Sequence, residues 1–234
     1  MPVNLHPWNV SPTEAVRIQQ DLRTKVRERR LEKPIEYIAG ADISFDKGSN
    51  VIYAGVVVLK FPELTEVDRG LTVSRATFPY IPGLLSFRES PAVLEAWEYL
   101  HVQPDVLLID GHGYAHPRRF GIACHLGLLL DIPAIGCAKT VLVGKYEEPD
   151  SGRGSFRPLV DRDEVVGAAL RTADGVTPVY VTVGHLVDLD SAIRVVLDCC
   201  RGYRIPEPTR QAHLLVNALR RGELQTDPRQ GSLF

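Results

Sequence analysis

The sequence predicts an α/β protein built on a mixed sheet, three antiparallel strands followed by parallel ones, with helices on its flanks. Two groups of segments carry this reading. IEYIAGADISF, VIYAGVVVLK and LTVSRATF are rich in β-branched and aromatic residues and are joined by turn material such as DKGSN, which makes them an antiparallel meander. Beyond them, DVLLID and PAIGCAK read as buried strands, each following a helical stretch. At 234 residues with 44% hydrophobic composition, the chain can bury one substantial core. A single domain over residues 1–222 is therefore expected, with a polar, fraying tail at 223–234.

Each element has a local cause. SPTEAVRIQQDLRTKVRERR opens with Ser11, Pro12 and Glu14 in a capping-box arrangement and continues with apolar Ala15, Ile18, Leu22 and Val26, an amphipathic helix. Its far end carries Arg23, Lys25, Arg27, Arg29, Arg30 and Lys33, which form either a solvated face or a phosphate contact. After the meander, Ser90 and Pro91 start a helix in SPAVLEAWEYL. A helix around 119–130, strands near 164–171 and 178–183, a helix near 188–200 and a last helix in TRQAHLLVNALRR complete the series.

Composition excludes several classes. A charged fraction of 24% and a mean hydropathy of -0.05 belong to an ordinary globular chain rather than a disordered one. No apolar run reaches the roughly 20 residues that span a bilayer, and the start MPVNLHPWNV has no signal-peptide pattern, so a cytoplasmic protein without membrane contact is expected. Cys124, Cys137, Cys199 and Cys200 show no CxxC spacing and read as reduced, buried thiols, with disulfides or zinc as alternatives. A net charge of -2 gives no global attraction for polyanions, so any nucleic-acid binding rests on local patches.

Acids interrupt apolar strands at two places. Asp42 lies inside IAGADISF and Asp110 closes VLLID, where an unpaired carboxylate costs several kcal/mol in desolvation. A basic partner, or for Asp110 a turn cap, would offset this for either one alone. If the first and fourth strands are neighbours, however, both carboxylates reach one edge of the sheet, and Glu89 joins them from the start of the next helix. Oxygen ligands of this kind suit Mg²⁺ or Mn²⁺, and such a site can assist in-line hydrolysis of a phosphodiester.

Around these acids lie further candidates. Gly111, His112, Gly113, Tyr114, Ala115 and His116 follow Asp110 at the carboxyl end of a buried strand, where open α/β sheets bind ligands. The glycines are expected to let backbone approach a substrate. His112 and His116 have H-x-x-x-H spacing, but Gly113 and Pro117 oppose the helix a zinc motif needs; contact with phosphate or a scissile-site water, or burial in the core, are the other readings. Phe78, Pro79, Tyr80, Ile81, Pro82 and Gly83 form an apolar loop stiffened by prolines, which either packs on its own domain or serves as a wedge in a base stack. Arg88, Arg118 and Arg119 offer charge to phosphates.

The blocks GADISF, PYIPGLLSFRE, DGHGYAHPRRFGIACHLG, GCAKT and YRIPEPTRQAH, in this order over nearly the whole chain, resemble the signature blocks of the endonuclease V, or deoxyinosine endonuclease, family. The resemblance implies a ribonuclease-H-like fold and a Mg²⁺-dependent endonuclease, with Mn²⁺ substituting. It implies Asp42, Glu89 and Asp110 as metal ligands and adds Lys139 and His213 to the catalytic set. On the residues alone, Lys139 reads as a snorkelling surface lysine and His213 as a surface or core residue.

The resemblance further implies that Pro79, Tyr80, Ile81 and Pro82 separate a damaged base from its partner, and that Gly83, Leu85, Gly111, His116 and Ile122 line the pocket that receives it. Arg88 and Arg118 would lie at the phosphates. The implied cut is at the second phosphodiester 3′ to a deoxyinosine in DNA, by a monomer, leaving 3′-hydroxyl and 5′-phosphate ends. Inosine-containing RNA, other lesions, non-catalytic binding of damaged nucleic acid and small-molecule phosphohydrolysis are the rival readings. Cys137 and Asp188 stand where another small residue and a serine are more usual; Asp188 could alter a hydrogen bond near His185 or a helix cap.

Overall fold

The computed structural model describes residues 3–46 and 48–226. The elements are α1 (Pro12–Leu22), β1 (Tyr37–Phe45), β2 (Val51–Lys60), β3 (Thr65–Arg75), α2 (Leu85–Glu98), β4 (Val106–Ile109) and α3 (Ile122–Leu130). They continue with β5 (Ala134–Ala138), β6 (Phe156–Asp161), β7 (Glu164–Leu170), β8 (Val179–His185), α4 (Leu189–Asp198) and α5 (Glu207–Arg220). Among the described residues eight strands join one sheet in the order β3-β2-β1-β4-β5-β8-β7-β6.

The meander forms as expected, and β1, β4 and β5 run parallel. The strands after β5 do not continue that direction. β8 returns antiparallel beside β5, and β7 and β6 follow antiparallel in turn. β6 gave little sequence signal because its hairpin turns through Arg162 and Asp163, both at positive φ, without the glycine or asparagine that usually marks such a turn.

Helices cover both faces of the sheet. On one face α5 and α4 contribute Ala212, Leu215, Leu219, Ile193 and Val196 to a core with Ile38, Val57, Leu108 and Ile135. On the other, α2 and α3 bring Ala92, Val93, Trp97, Ala123 and Leu126 against Ala39, Val56, Leu107 and Ile109. The close seat of α5 depends on Gly40, where a Cβ would fall 2.0 Å from the Pro208 carbonyl oxygen.

Two helices differ from expectation. α1 has the predicted capping box but ends at Leu22, a 3-10 turn follows at Arg23–Lys25, and the basic residues beyond lie in non-helical chain. Arg29, Arg30 and Lys33 line a groove with Pro104, Val106 and Pro133, at the amino ends of β4 and β5. They are thus at the opposite end of the strands from Asp42 and Asp110.

α2 begins at Leu85 and carries Pro91 in its interior instead of starting at Ser90. An internal proline costs about 3 kcal/mol. Burial on both sides of it, by Phe87 before and Ala92, Val93, Ala96 and Trp97 after, offsets that cost. Glu89 therefore sits within the helix rather than at its start. At the chain's end Leu224 packs against the core, while residues 227–234 of the expected tail lie outside the described residues.

Candidate active site

The acids meet because β1 and β4 are parallel neighbours, with Ala41 opposite Ile109, so that Asp42 and Asp110 follow side by side. Asp42 has 12% of its side chain exposed and Asp110 18%. Burial and the charge of Asp110 raise the Asp42 carboxyl above its ordinary range. Glu89 comes from α2, and burial together with the charge of Asp42 pushes its carboxyl up to about 8, with Arg88 opposing the rise and Asp110 adding to it. The three acids thus form one electrostatic unit, each disfavouring ionisation of its neighbours.

A lysine and a histidine partner the pair of aspartates. Lys139, immediately beyond β5, donates from Nζ to Asp110 Oδ2. His213 on α5 places Nδ1 2.8 Å from Asp42 Oδ2, with its own side chain half exposed. Asn217, one turn further on, has its Nδ2 2.8 Å from the His213 carbonyl oxygen, to which it donates, and 3.2 Å from the ring Nε2.

The donor set is hard oxygen, and the mutual repulsion of its ionised carboxylates is what a divalent cation offsets. Asp42, Glu89 and Asp110 fit such an ion in type and charge. Among the described residues, no group of three or more His, Cys, Asp or Glu side chains is drawn together tightly enough to enclose one. Asp42 and Asp110 are instead directed at His213 and Lys139.

Beside the acids opens a cavity of about 310 Å³. Its walls include Gly83, Leu85, Gly111, His116 and Ile122, the residues expected to form the base pocket, together with Tyr80, Ile81 and Pro82 of the loop. Gln19, Ser86, Thr140, Val141 and Leu142 also line it and were not anticipated. Tyr80 is 68% exposed at the loop tip, whereas Phe78 is buried against Phe87 and roots the loop.

The arginines expected at phosphates are engaged with that loop. Arg88 Nη1 donates to the Phe78 carbonyl at 2.8 Å, and Arg118 Nη2 to the Gly83 carbonyl at 2.5 Å, one at each end. Arg119 ties the loop after Asp110 to the β6–β7 hairpin through Asp161 at 2.8 Å and Glu164 at 2.7 Å. Tyr114 donates to the same Glu164 at 2.7 Å.

The two histidines after Asp110 lie in irregular chain, not on a helix. His116 is buried; burial, with Arg118 adding, holds its ring down to about 4. Its Nδ1 accepts from the Arg118 backbone N–H at 3.2 Å, which assigns Nε2 as donor to the Gly83 carbonyl at 3.0 Å. His112 pairs Nε2 with the Thr140 carbonyl at 2.9 Å. Gly113 serves packing rather than substrate approach, since a Cβ there would lie 2.0 Å from the Val183 carbonyl oxygen.

All four cysteines are free and buried. Asp188 caps α4 by accepting from the Ser191 N–H at 2.8 Å, so it acts at a helix end.

A mixed sheet that sets two aspartates side by side, one within β1 and one just past the end of β4, with a helix glutamate and a walled cavity beside them, defines a nuclease of the ribonuclease-H-like class. The family profile described as Endonuclease V matches residues 20–214. The chain belongs to the endonuclease V family. It is 54% identical to the endonuclease V of Methanothrix thermoacetophila over 211 residues, 90% of this chain and 93% of that one. It superposes on the crystal structure of the Streptomyces avermitilis endonuclease V with a TM-score of 0.88 at 43% identity, covering 93% and 96% of the two chains. A Ciona intestinalis endonuclease V, solved in complex with a 23mer DNA containing an inosine followed by a ribo-adenosine, aligns at TM-score 0.78 and 28% identity over 92% of this chain and 100% of that one.

Proposed function

We propose that this chain is a Mg²⁺-dependent DNA-repair endonuclease that hydrolyses the second phosphodiester 3′ to a deoxyinosine, leaving 3′-hydroxyl and 5′-phosphate ends. The observation that carries the reading is the adjacency of two features: the coupled acids Asp42, Glu89 and Asp110, and the cavity that begins at Gly111, the next residue after Asp110. A base drawn into the cavity leaves its own strand beside the acids. The exposed Tyr80 on a proline-stiffened loop supports a role in filling the vacated stack.

Asp42, Glu89 and Asp110 would hold the metal, which when bound neutralises phosphate charge and lowers the pKa of an attacking water. Mn²⁺ would serve in its place. Lys139 holds Asp110 and adds positive charge beside the scissile phosphate. His213 orients Asp42 and can hold or release a proton at its imidazole. The cavity excludes water from the base. A backbone N–H facing the position where hypoxanthine carries an oxygen and adenine an amino group would favour the deaminated base, and tight walls would exclude the 2-amino group of guanine.

The catalytic unit on this reading is residues 1–222, acting as a monomer. No helix among the described residues is long and apolar enough to cross a membrane. The four free cysteines suit the reducing cytoplasm, which is the proposed workplace. Ribose-containing strands are the second candidate substrate, because the relative from Ciona was crystallised with a ribo-adenosine next to the inosine.

The test is incubation of labelled oligonucleotides carrying inosine in deoxyribose or ribose form with Mg²⁺, with and without chelator, followed by mapping of the cut. Chelator-sensitive nicking of the deoxyribose strand at the second bond is expected. Tight binding without nicking, or an Asp110→Ala variant that cuts as fast as wild type, would refute the assignment.

A further inference from the structure

α1 carries a buried glutamine on its apolar face. Gln19 is 1% exposed and lies between Ala15 and Leu22, which are buried on the same side. These neighbours belong to different clusters. Ala15 packs with Phe78, Leu84 and Phe87 at the root of the wedge loop, and Leu22 packs with Phe120 and Cys124 at the start of α3. α1 is therefore a strut laid across both sides of the cavity.

The amide of Gln19 joins the same two sides. Its Nε2 donates to the Gly83 carbonyl at 3.1 Å and to the Phe120 carbonyl at 3.1 Å, while its Oε1 accepts from Arg118 Nε at 2.5 Å. Both amide hydrogens and the carbonyl are thus used. The Gly83 carbonyl also receives His116 Nε2 at 3.0 Å and Arg118 Nη2 at 2.5 Å. One oxygen at the end of the wedge loop thereby gathers donors from α1 and from the loop after Asp110. Gly83, His116 and Ile122 all line the cavity, so this node connects the wall on the loop side to the wall on the α3 side.

We propose that Gln19 is a positioning residue for base recognition, setting the separation of the cavity walls and the stance of the Pro79–Pro82 loop. The inference rests on the reading that the cavity takes a flipped base. Gln19 makes no hydrogen bond to the acids, Lys139 or His213; its bonds run to Gly83, Phe120 and Arg118. Loosening the node changes how well the base is captured and leaves the hydrolytic chemistry in place.

The experiment compares wild type with Gln19→Met, which keeps the volume and removes all three bonds. KM and kcat are measured on strands carrying hypoxanthine, xanthine or adenine at the target position, together with Tm. KM for hypoxanthine is expected to rise about tenfold or more, as the loss of buried hydrogen bonds implies, with kcat within about threefold, and the preference over adenine to narrow. Gln19→Glu, which keeps the acceptor for Arg118 but sets an oxygen against two carbonyls, is expected to behave likewise. Unchanged KM and base preference, or a fall in kcat alone, overturns the proposal. Failure of both variants to fold overturns it in favour of a purely structural role. If wild type cuts no inosine strand, the functional reading falls and this inference with it; if wild type cuts and Gln19→Met matches it, only the inference falls.

Discussion

Nδ1 of His213 lies 2.8 Å from Oδ2 of Asp42, across 171 residues of chain. The contact exists because α5 packs over β1 and directs its second turn at the strand's acid. The imidazole gives a largely buried carboxylate a partner that the strand itself cannot supply, and thereby fixes which way Asp42 points.

Removing that partner should therefore cost activity more than stability. His213→Ala is expected to slow cleavage by about 10–100-fold, the usual effect of losing a group that orients a metal ligand. Asp42→Asn should slow it further. Because Asp42 is held above its ordinary range by burial and by Asp110, neutralising it relieves repulsion, and its metal-free Tm should equal or exceed that of wild type. Single-turnover cleavage and calorimetry on both variants check this; an Asp42→Asn protein that is active, or clearly less stable, contradicts it.

Glu89 gives stability a sign against pH. Its carboxyl ordinarily titrates at 4.5 and in the fold at about 8, so between these values the folded chain holds a proton that the unfolded chain has lost. Metal-free stability should decline as pH rises through this window. A cation bound by the acids must displace that proton, so Mg²⁺ should raise Tm more at pH 8.5 than at pH 6. Equal Mg²⁺-induced shifts at the two values would rule this account out.

The N-terminal segment supplies the opposite sign. His6 and His125 meet at 2.6 Å between their Nε2 atoms, within an aromatic nest of Trp8, Phe87 and Phe120. Burial holds both rings below the ordinary 6.5, His125 well below. The unfolded chain then takes up protons first as pH falls under 6.5, and stability is lost on that side. Thermal melts from pH 7 to 5 should fall more steeply for wild type than for His125→Phe, with His116 keeping part of the slope in the variant. Parallel slopes would count against it.

Tyr80 stands out at the loop tip with 68% of its surface exposed. Tyr80→Ala should shift folding stability by no more than about 0.5 kcal/mol. Binding of an inosine-containing duplex, measured by anisotropy in Ca²⁺ or with an inactive variant, should weaken by about 1–3 kcal/mol if the ring stacks on bases. Unchanged affinity would remove Tyr80 from the wedge.

By itself the sequence determined the meander, the buried strands and the place of the two aspartates, because each is written locally. Alternating β-branched residues specify a strand, and a charge inside an apolar strand declares that something must offset it. The signature blocks named the cavity residues Gly83, Leu85, Gly111, His116 and Ile122 for the same reason: they cluster in short segments beside the acids. Only the tertiary structure decided the direction of β8, the start of α2, and the partners of the polar groups. The hydrogen bonds of His213 to Asp42, Gln19 to Gly83 and Arg119 to Glu164 join residues far apart in sequence. No periodicity records such pairings. They follow from which faces of helix and sheet can be buried together, a choice made by the packing of the whole chain.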